Sequence, residues 1–261
     1  MEFKNTNRRS VQEEVRSCFD NLANSYANSY SGSSRVSHFF TVRKRRVEAL
    51  LAGIATGCKV LEVGCEPGLM VDYFLHRGDD YHGLDLSSNM IAECVARFKG
   101  LANAHFRVGD VQQLDYPNSF FDIALCLGVL EYVPAESQAV RELARVLKPG
   151  GTLILSAINK WSPFNAWDRL VYRKLTGLES GPIVQEYHTE KHYRRLLPAL
   201  GLEIADVSYF DFSLVVHPLD YKVPEFSLAL SERFECFDQS ILRKLGNGFL
   251  LKSRASKEGK A

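Results

Sequence analysis

Residues 59–68 read KVLEVGCEPG, and this stretch decides the fold class. Its first half is a short apolar run typical of a buried β-strand, and its second half places glycines before a helical pattern. A glycine turn between a strand and a helix is the first turn of a βαβ unit, where the backbone can approach a ligand closely. The pattern alone is a weak signal, so its meaning depends on the rest of the chain.

The chain continues from this stretch with alternating strands and helices. Buried strands are predicted at KVLEVG, YHGLDL, AHFRVG, FDIALCL and GTLILSAI, and later at GLEIADVSYF and GFLLKS. The segments GLMVDYFLHRG, SSNMIAECVARFKG and ESQAVRELARVLKPGG carry apolar residues at helical spacing, the last two with serine N-caps. This alternation predicts an α/β protein with a parallel sheet that is covered by helices on both faces.

The composition is that of an ordinary globular protein. The chain has 261 residues, of which 46% are hydrophobic and 24% charged, and its formal net charge is +1. These values argue against intrinsic disorder and against a strongly basic nucleic-acid-binding module. We therefore expect no nucleic-acid partner.

Cysteine spacing and hydropathy indicate the cellular environment that we expect for the protein. The six cysteines form no C-x-x-C pair, which fits neither a zinc site nor a disulfide framework, so no metal site is expected. No apolar run reaches the roughly 20 residues that span a bilayer, and the first residues lack the apolar segment of a signal peptide. We expect reduced thiols, no integral membrane association and a cytoplasmic location. The oligomeric state is not indicated.

Acidic residues stand at the ends of the first three predicted strands. Glu62 lies in the first strand, Asp85 closes the second, and Asp110 follows the third. A carboxylate at the position of Asp85 can accept both hydroxyls of a ribose, and one at Asp110 can accept from an exocyclic amine such as that of adenine. The three acids together outline a nucleoside site.

A dinucleotide is the main competing ligand for such a site, and an NAD(P)-dependent reductase is the function that it would imply. The glycine spacing is G-x-x-x-G, whereas the dinucleotide fingerprint is G-x-G-x-x-G. Glu66 would also face the diphosphate, and like charges roughly 4 Å apart repel by about 4 kcal/mol at an effective dielectric constant near 20. An adenine nucleoside without phosphates fits better, and S-adenosylmethionine is such a ligand.

Four segments resemble the successive motifs of class I S-adenosylmethionine-dependent methyltransferases. They are VLEVGCEPG, GLDLSSNMI, VGDVQQLDYPNSFFDIALCLGVLEYV and LARVLKPGGTLILS. The nearest grouping is the small-molecule, type 11 set that includes ubiquinone-pathway enzymes, and the resemblance covers residues 59–157. It implies a Rossmann-like, doubly wound sheet of seven strands, mostly parallel with an antiparallel last strand, and an N-terminal helical lid.

The sequence pattern and the resemblance together divide the chain into four predicted parts. Residues 1–57 form a helical cap, with helices at about 10–22 and 38–51 around a polar loop at 21–34. Residues 58–157 form the S-adenosylmethionine-binding core, and residues 158–188 are an aromatic insertion expected at the acceptor site. Residues 189–261 complete the sheet and carry a helical insertion at about 211–245.

Within the core, the resemblance assigns residues to the cofactor. Those assigned to its methionine portion are Glu62, Gly64, Cys65 and Gly68. Those assigned to the rest are Asp85 and Leu86 for the ribose and adenine, Asp110 and Val111 for the adenine edge, Leu127 and Gly128 for the amino-acid moiety or the methyl-transfer region, and Tyr26 and Tyr30 for the lid. Glu66 departs from the family pattern, because a second glycine is usual there. This departure keeps open a catalytically silent interaction module as the alternative function.

The acceptor is the least specified part of the prediction. Aromatic residues in the two insertions favour an apolar or aromatic small molecule: Trp161, Phe164, Trp167, Phe210, Phe212 and Tyr221. We expect an oxygen acceptor, with nitrogen and carbon left open, and RNA methylation is disfavoured by the near-zero net charge. A hydroxyl needs a general base, and His188 and Tyr132 are the candidates.

Overall fold

The computed structural model of the protein describes residues 2–26, 30, 34–177 and 185–256. The polar loop predicted at 21–34 is wrong in its first part, because the first helix continues through Tyr26. Residues 27–29 and 31–33 of that loop lie outside the described residues, as do residues 178–184 of the aromatic insertion. The division into four parts stays a prediction.

A single seven-stranded sheet forms the centre of the protein, as predicted. Its strands are β1 (Lys59–Val63), β2 (Asp80–Asp85), β3 (Ala104–Val108), β4 (Phe121–Cys126), β5 (Leu147–Ile158), β6 (Leu202–Phe210) and β7 (Gly248–Ala255). Their order across the sheet is β3-β2-β1-β4-β5-β7-β6. Strands β1 to β5 are parallel, and β7 is antiparallel to both of its neighbours. The Rossmann-like fold with an antiparallel last strand is therefore confirmed.

The helices cover both faces of this sheet. They are α1 (Glu2–Tyr26), α2 (Arg35–Leu51), α3 (Val71–His76), α4 (Ser88–Arg97), α5 (Glu136–Val146), α6 (Pro163–Trp167), α7 (Arg173–Thr176), α8 (Glu190–Ala199), α9 (Leu219–Lys222) and α10 (Pro224–Phe234). A π-helical turn (Asp168–Tyr172) joins α6 to α7, and short 3-10 turns lie at Leu130–Tyr132, Glu235–Gln239 and Arg243–Leu245. No helix within the described ranges is long and apolar enough to cross a bilayer.

Side-chain capping explains where four of these helices begin, namely α2, α4, α6 and α8. The Ser87 hydroxyl accepts from the backbone N–H of Met90 at 3.1 Å, and the Thr189 hydroxyl accepts from that of His192 at 3.2 Å. The serine cap predicted for α5 is wrong, because Ala135 precedes that helix and provides no side-chain cap. The acidic side chain of Glu136 in the first turn of α5 favours the helix start electrostatically instead.

The hydrophobic core has one cluster on each face of the sheet. One contains Phe121, Leu153 and the inward residues of α5 and α8, and the other contains Val60, Phe74 and the inward residues of α2 and α3. Burial on both faces leaves the carboxyl-terminal edge of the parallel strands as the place where loops can form a site. The two insertions meet beside this edge, where the Trp167 indole donates to the His217 carbonyl at 2.7 Å.

Candidate functional site

The glycine loop after β1 wraps around the end of β2. The backbone N–H of Gly64 donates to the Leu84 carbonyl at 2.7 Å, and that of Glu66 donates to the Asp85 carboxylate at 3.2 Å. Gly64 has a φ of 70°, and a Cβ there would lie 2.2 Å from a methyl carbon of Val129. Glycine is required at this turn by both its conformation and its packing.

Asp85 is anchored by backbone donors on both of its carboxylate oxygens. Ser87 N–H donates to one oxygen at 2.9 Å, and Glu66 N–H donates to the other. Each oxygen keeps a lone pair for a further donor, so the carboxylate can accept two ligand hydroxyls. Burial is the main reason that the pKa of Asp85 is raised from 3.8 to about 6.

A first cavity of about 90 Å³ lies over the loop and the strand ends. Predicted residues that line it are Tyr26, Gly64, Asp85, Leu86, Asp110, Val111, Leu127, Gly128 and Tyr132. The structure therefore brings together residues from four consecutive strand ends and from the N-terminal helix, as the sequence-based assignment requires.

Three other residues that were predicted to contact the cofactor lie beneath the surface of the first cavity. Glu62 is fully buried and accepts a hydrogen bond from the Tyr81 hydroxyl, and burial raises its pKa to about 8. Cys65 packs with Cys94 beneath the loop. A Cβ at Gly68 would lie 2.4 Å from the Phe98 ring. None of these three residues lines the first cavity, because each packs against the protein beneath it.

Helix α1 closes the first cavity from above. The Gln12 amide donates to the Asp110 carboxylate at 2.7 Å, so an amide N–H takes the place that was predicted for the exocyclic amine of adenine. Asp20 accepts from the Ser87 hydroxyl at 2.6 Å, which docks α1 on the start of α4. The Phe19 ring meets the Tyr132 ring edge to face at 5.4 Å. The predicted N-terminal helix does cover the site.

Glu66 is held in an ion-pair network instead of facing solvent. It has a φ of 52°, so a side chain occupies a backbone conformation that favours glycine, at a cost of about 1 kcal/mol. Its carboxylate pairs with the Arg43 guanidinium at 3.2 and 3.3 Å and accepts from the Tyr30 hydroxyl at 2.7 Å. The side chain of Arg43 is only 4% exposed. Glu66 lines the first cavity, whereas Arg43 lines only an adjoining cavity.

A second cavity of about 280 Å³ adjoins the first. The two cavities share Tyr26, Glu66, Gly128 and Tyr132 as a common wall. Beyond that wall, the second cavity is lined by the aromatic rings of α2 and by polar groups: Phe39, Phe40, Arg35, Glu131, Asn165, Gln185, Asp211 and Asn247. A molecule here would lie directly against a ligand of the first cavity.

Glu131 is the titratable group in this region that sequence reasoning missed. One of its carboxylate oxygens is buried and has no hydrogen-bond partner, and burial raises its pKa from 4.5 to about 7. Tyr132 lines both cavities, accepts from the Gln185 amide at 2.5 Å, and has a pKa raised by burial. A carboxyl group with a pKa near 7 is a better proton acceptor than a phenol of raised pKa.

His188, the other predicted base, lines neither of these cavities. Its ring stacks on the His192 ring at a centroid distance of 4.7 Å, and its Nε2 lies 3.6 Å from Glu136. Its backbone pairs with the chain at the end of β5, where His188 N–H donates to the Ile158 carbonyl at 3.1 Å. The structure therefore does not bring His188 to the site.

A third cavity of about 670 Å³ continues outward from the second and is bordered by the C-terminal insertion. Of the aromatic residues predicted for the acceptor, only Tyr221 lines one of the three cavities. Phe210 and Phe212 are core residues, because the end of β6 turns them inward. Trp161 is 61% exposed, and the Phe164 ring packs under the Arg35 guanidinium.

Comparison with known proteins indicates the family to which this fold belongs. The "Methyltransferase domain" family matches residues 61–155. The chain is 28% identical over 220 residues to a ubiquinone biosynthesis O-methyltransferase of Alkalilimnicola ehrlichii, covering 70% of this chain and 88% of the relative. It is 36% identical over 108 residues to the Xanthomonas oryzae enzyme of that name, covering 40% of this chain and less than half (44%) of that relative.

A solved structure with the same fold is the magnesium protoporphyrin IX methyltransferase of Synechocystis with bound S-adenosylhomocysteine. It is 19% identical, covers 94% of this chain and 100% of its own, and has a TM-score of 0.65. The family match and the curated relatives, together with this fold, confirm the predicted S-adenosylmethionine-dependent methyltransferase family and its cofactor. Residues 61–155 form the methyltransferase domain, and the chain has the class I fold.

Proposed function

We propose that the enzyme methylates a hydroxyl oxygen of an apolar or aromatic small molecule that lies in the second cavity. The observation that carries this proposal is the wall shared by the first and second cavities. Because of this shared wall, an acceptor in the second cavity would lie within direct reach of the transferable methyl group. Phe39 and Phe40 favour an apolar or aromatic ring, and the name of the A. ehrlichii relative supports oxygen as the acceptor atom.

In this proposal the residues of the first cavity hold the cofactor. Asp85 accepts the ribose hydroxyls, and Asp110 exchanges the Gln12 amide for the adenine amine. Arg43 binds the carboxylate of the methionine portion, and Glu66 binds its ammonium group. The ion pair between Arg43 and Glu66 therefore separates when the cofactor binds, because the cofactor supplies one negative and one positive group in its place. When bound, the cofactor supplies an electrophilic methyl group.

The remaining catalysis rests on alignment and on the acceptor proton. Holding two reactants in line supplies about 7 to 11 kcal/mol of a displacement barrier. Helix α1 and the rings of Phe19 and Tyr26 exclude water from the reacting centre. The unpartnered oxygen of Glu131 is placed to receive the hydroxyl proton, so Glu131 replaces His188 and Tyr132 as our candidate base.

Glu131→Gln is expected to lower kcat by about 100-fold or more, because an amide cannot accept the proton. The affinity for S-adenosylmethionine should change less than about threefold. In the wild-type enzyme, kcat should rise with pH up to about 7, because the Glu131 carboxyl must be ionised to accept a proton. This rise of kcat with pH should be absent in Glu131→Gln. Tyr132→Phe is the matched control and should lose less than about tenfold. A greater loss in Tyr132→Phe than in Glu131→Gln would contradict the assignment.

Acceptor chemistry can be tested with methyl-labelled S-adenosylmethionine and a matched pair of acceptors. One is an alkylated catechol, and the other is the aniline with the same alkyl chain. We expect label in the methyl ether of the catechol only. Label on the aniline nitrogen or on a ring carbon would contradict an oxygen acceptor without affecting the family assignment.

Cofactor affinity should depend on pH through Asp85. Its carboxyl is protonated below a pH of about 6 in the ligand-free protein, and a protonated carboxyl accepts ribose hydroxyls poorly. We therefore expect the Kd of S-adenosylmethionine to rise about tenfold per pH unit below pH 6 and to be flat from pH 7 to 8. Titration calorimetry across this range measures it, and a Kd that is constant from pH 5 to 8 would show that Asp85 does not hold the ligand.

A further inference from the structure

Three side chains from separate parts of the fold converge outside the three cavities. Glu136 begins α5, His188 ends the segment 185–188 that precedes α8, and His192 lies in the first turn of α8. His192 Nε2 lies 2.7 Å from one oxygen of Glu136, and His188 Nε2 lies 3.6 Å from the other. One ligand atom from each residue lies within 4.8 Å of the other two.

Two atoms of this cluster are buried without a hydrogen-bond partner. They are Nε2 of His188 and Oε1 of Glu136, which face each other across the distance of 3.6 Å. That distance is too long for a hydrogen bond. The hydroxyl of Tyr193, which also interacts with Glu136, is a third buried polar atom without a partner within hydrogen-bond distance. Buried polar atoms are normally paired, so two unpaired atoms that face each other mark a position where a third atom belongs.

We propose that Glu136, His188 and His192 bind a divalent transition metal, with Zn²⁺ as the best match. Two imidazoles and one carboxylate are an established ligand set for such ions. At metal–ligand distances near 2.0 to 2.1 Å, ligand atoms in a tetrahedral site lie roughly 3.3 Å apart, close to the separation of His188 and Glu136. Metal binding replaces the hydrogen bond between His192 and Glu136, and His192 then carries its ring proton on Nδ1.

A second cluster with two histidines differs from the proposed metal site in the positive charge that lies near its carboxylate. Asp80, His82 and His105 also lie within 4.8 Å of one another on the outer strands. Lys59 Nζ, however, lies 4.0 Å from the Asp80 carboxylate and already supplies a positive charge. Among the described residues, neither lysine nor arginine forms an ion pair with Glu136. Lys59 therefore opposes the charge of a metal ion at the Asp80 cluster, whereas the Glu136 carboxylate has no lysine or arginine ion pair and can compensate that charge.

The position of the metal gives it a structural role. His188 is bridged to Asn159 at the end of β5, and Gln185 of the same segment reaches Tyr132 in the second cavity. A metal would tie this segment to α5 and α8 and would hold Gln185 in place. The side chain of His192 is 41% exposed, so an ion can enter from solvent, and water can supply a fourth ligand.

The test uses the full chain, stripped with a chelator and titrated with Co²⁺, whose visible absorption reports its ligands, and then with Zn²⁺. We expect one bound ion that depends on this cluster, and affinities at least about tenfold weaker in His188→Ala, Glu136→Gln and His192→Ala. His105→Ala is the matched control and should bind at this site within about threefold of wild type. His192→Ala changes a half-exposed side chain, so it tests the site even if His188→Ala fails to fold.

Thermal unfolding gives a second measurement that does not depend on activity. Zn²⁺ at 100 times its Kd should raise the Tm of the wild type and of His105→Ala by roughly 5 to 10 °C, and should leave that of His192→Ala nearly unchanged. Absence of Co²⁺ and Zn²⁺ binding by the stripped protein would overturn the proposal. So would wild-type affinity in His188→Ala and His192→Ala, or complete loss of binding in His105→Ala.

Discussion

Asp85→Asn is expected to weaken the binding of S-adenosylmethionine by about 100-fold. Asp85 ends β2 with two anchored oxygens, and each can accept a ribose hydroxyl. A hydrogen bond to a charged group contributes about 1.5 to 3 kcal/mol, and the neutral amide loses the charge and one of the two acceptors. Titration calorimetry at pH 7.5 measures the change in Kd.

The same variant should not unfold the ligand-free protein. The pKa of Asp85 is raised from 3.8 to about 6 on folding, so its contribution to stability is present below pH 4 and is lost as the pH rises through 6. At pH 7 the ionised carboxylate opposes folding by on the order of 2 to 3 kcal/mol, which the amide removes. That gain offsets the loss of one backbone hydrogen bond, of about 1 to 3 kcal/mol. The free energy of unfolding should therefore stay close to that of the wild type.

Asp80→Asn is the matched control for this experiment. Asp80 begins the same strand that Asp85 ends, and its side chain is 35% exposed. Asp80→Asn should leave the Kd of S-adenosylmethionine within about twofold of the wild-type value. Equal losses of affinity in the two variants, or an unfolded Asp85→Asn protein, would show that the effect is one of strand stability and not of ligand contact.

Arg43→Ala is expected to give the largest loss of stability, about 3 to 5 kcal/mol, which corresponds to a fall in Tm of roughly 10 °C. Its guanidinium is buried and pairs with Glu66. Removing it leaves the Glu66 carboxylate nearly buried, with the Tyr26 and Tyr30 hydroxyls as its remaining side-chain partners. Urea unfolding of the ligand-free protein measures the change in free energy.

Two further variants isolate the ion pair as the cause. Arg45 lies on the exposed face of the same helix. Arg45→Ala should therefore change the free energy of unfolding by less than about 0.5 kcal/mol. Arg43→Ala combined with Glu66→Gly removes the unpaired carboxylate and places glycine at a φ of 52°, so it should recover at least half of the loss. A double variant no more stable than Arg43→Ala alone would contradict this explanation.

The sequence predicted the parts of the site that depend on local pattern. Short apolar runs predict the strands, and parallel strands place their carboxyl ends at one edge, so Asp85 and Asp110 could be assigned to one site from their positions alone. The departure at Glu66 was visible as a missing glycine, and the structure confirms that a positive φ is needed there.

Contacts between distant segments could not be predicted in this way. Gln12 reaches Asp110 across 98 positions of sequence, and its identity gives no sign of that partner. Glu131 was passed over in favour of Tyr132, because burial and not residue type gives it a pKa near 7. His188 was chosen as a base by residue type, yet its side chain lies beside Glu136 and His192, and its backbone is bridged to Asn159 at the end of β5.

The amino-acid sequence by itself determined the order of strands and helices, the glycine turn and the acids at the strand ends, because these follow from short-range periodicity and backbone conformation. Tertiary structure alone decided which side chains share a cavity, which carboxyl groups hold a proton, and which aromatic residues belong to the core. Those properties depend on desolvation and on packing between segments far apart in the chain, and neither is encoded at any single position.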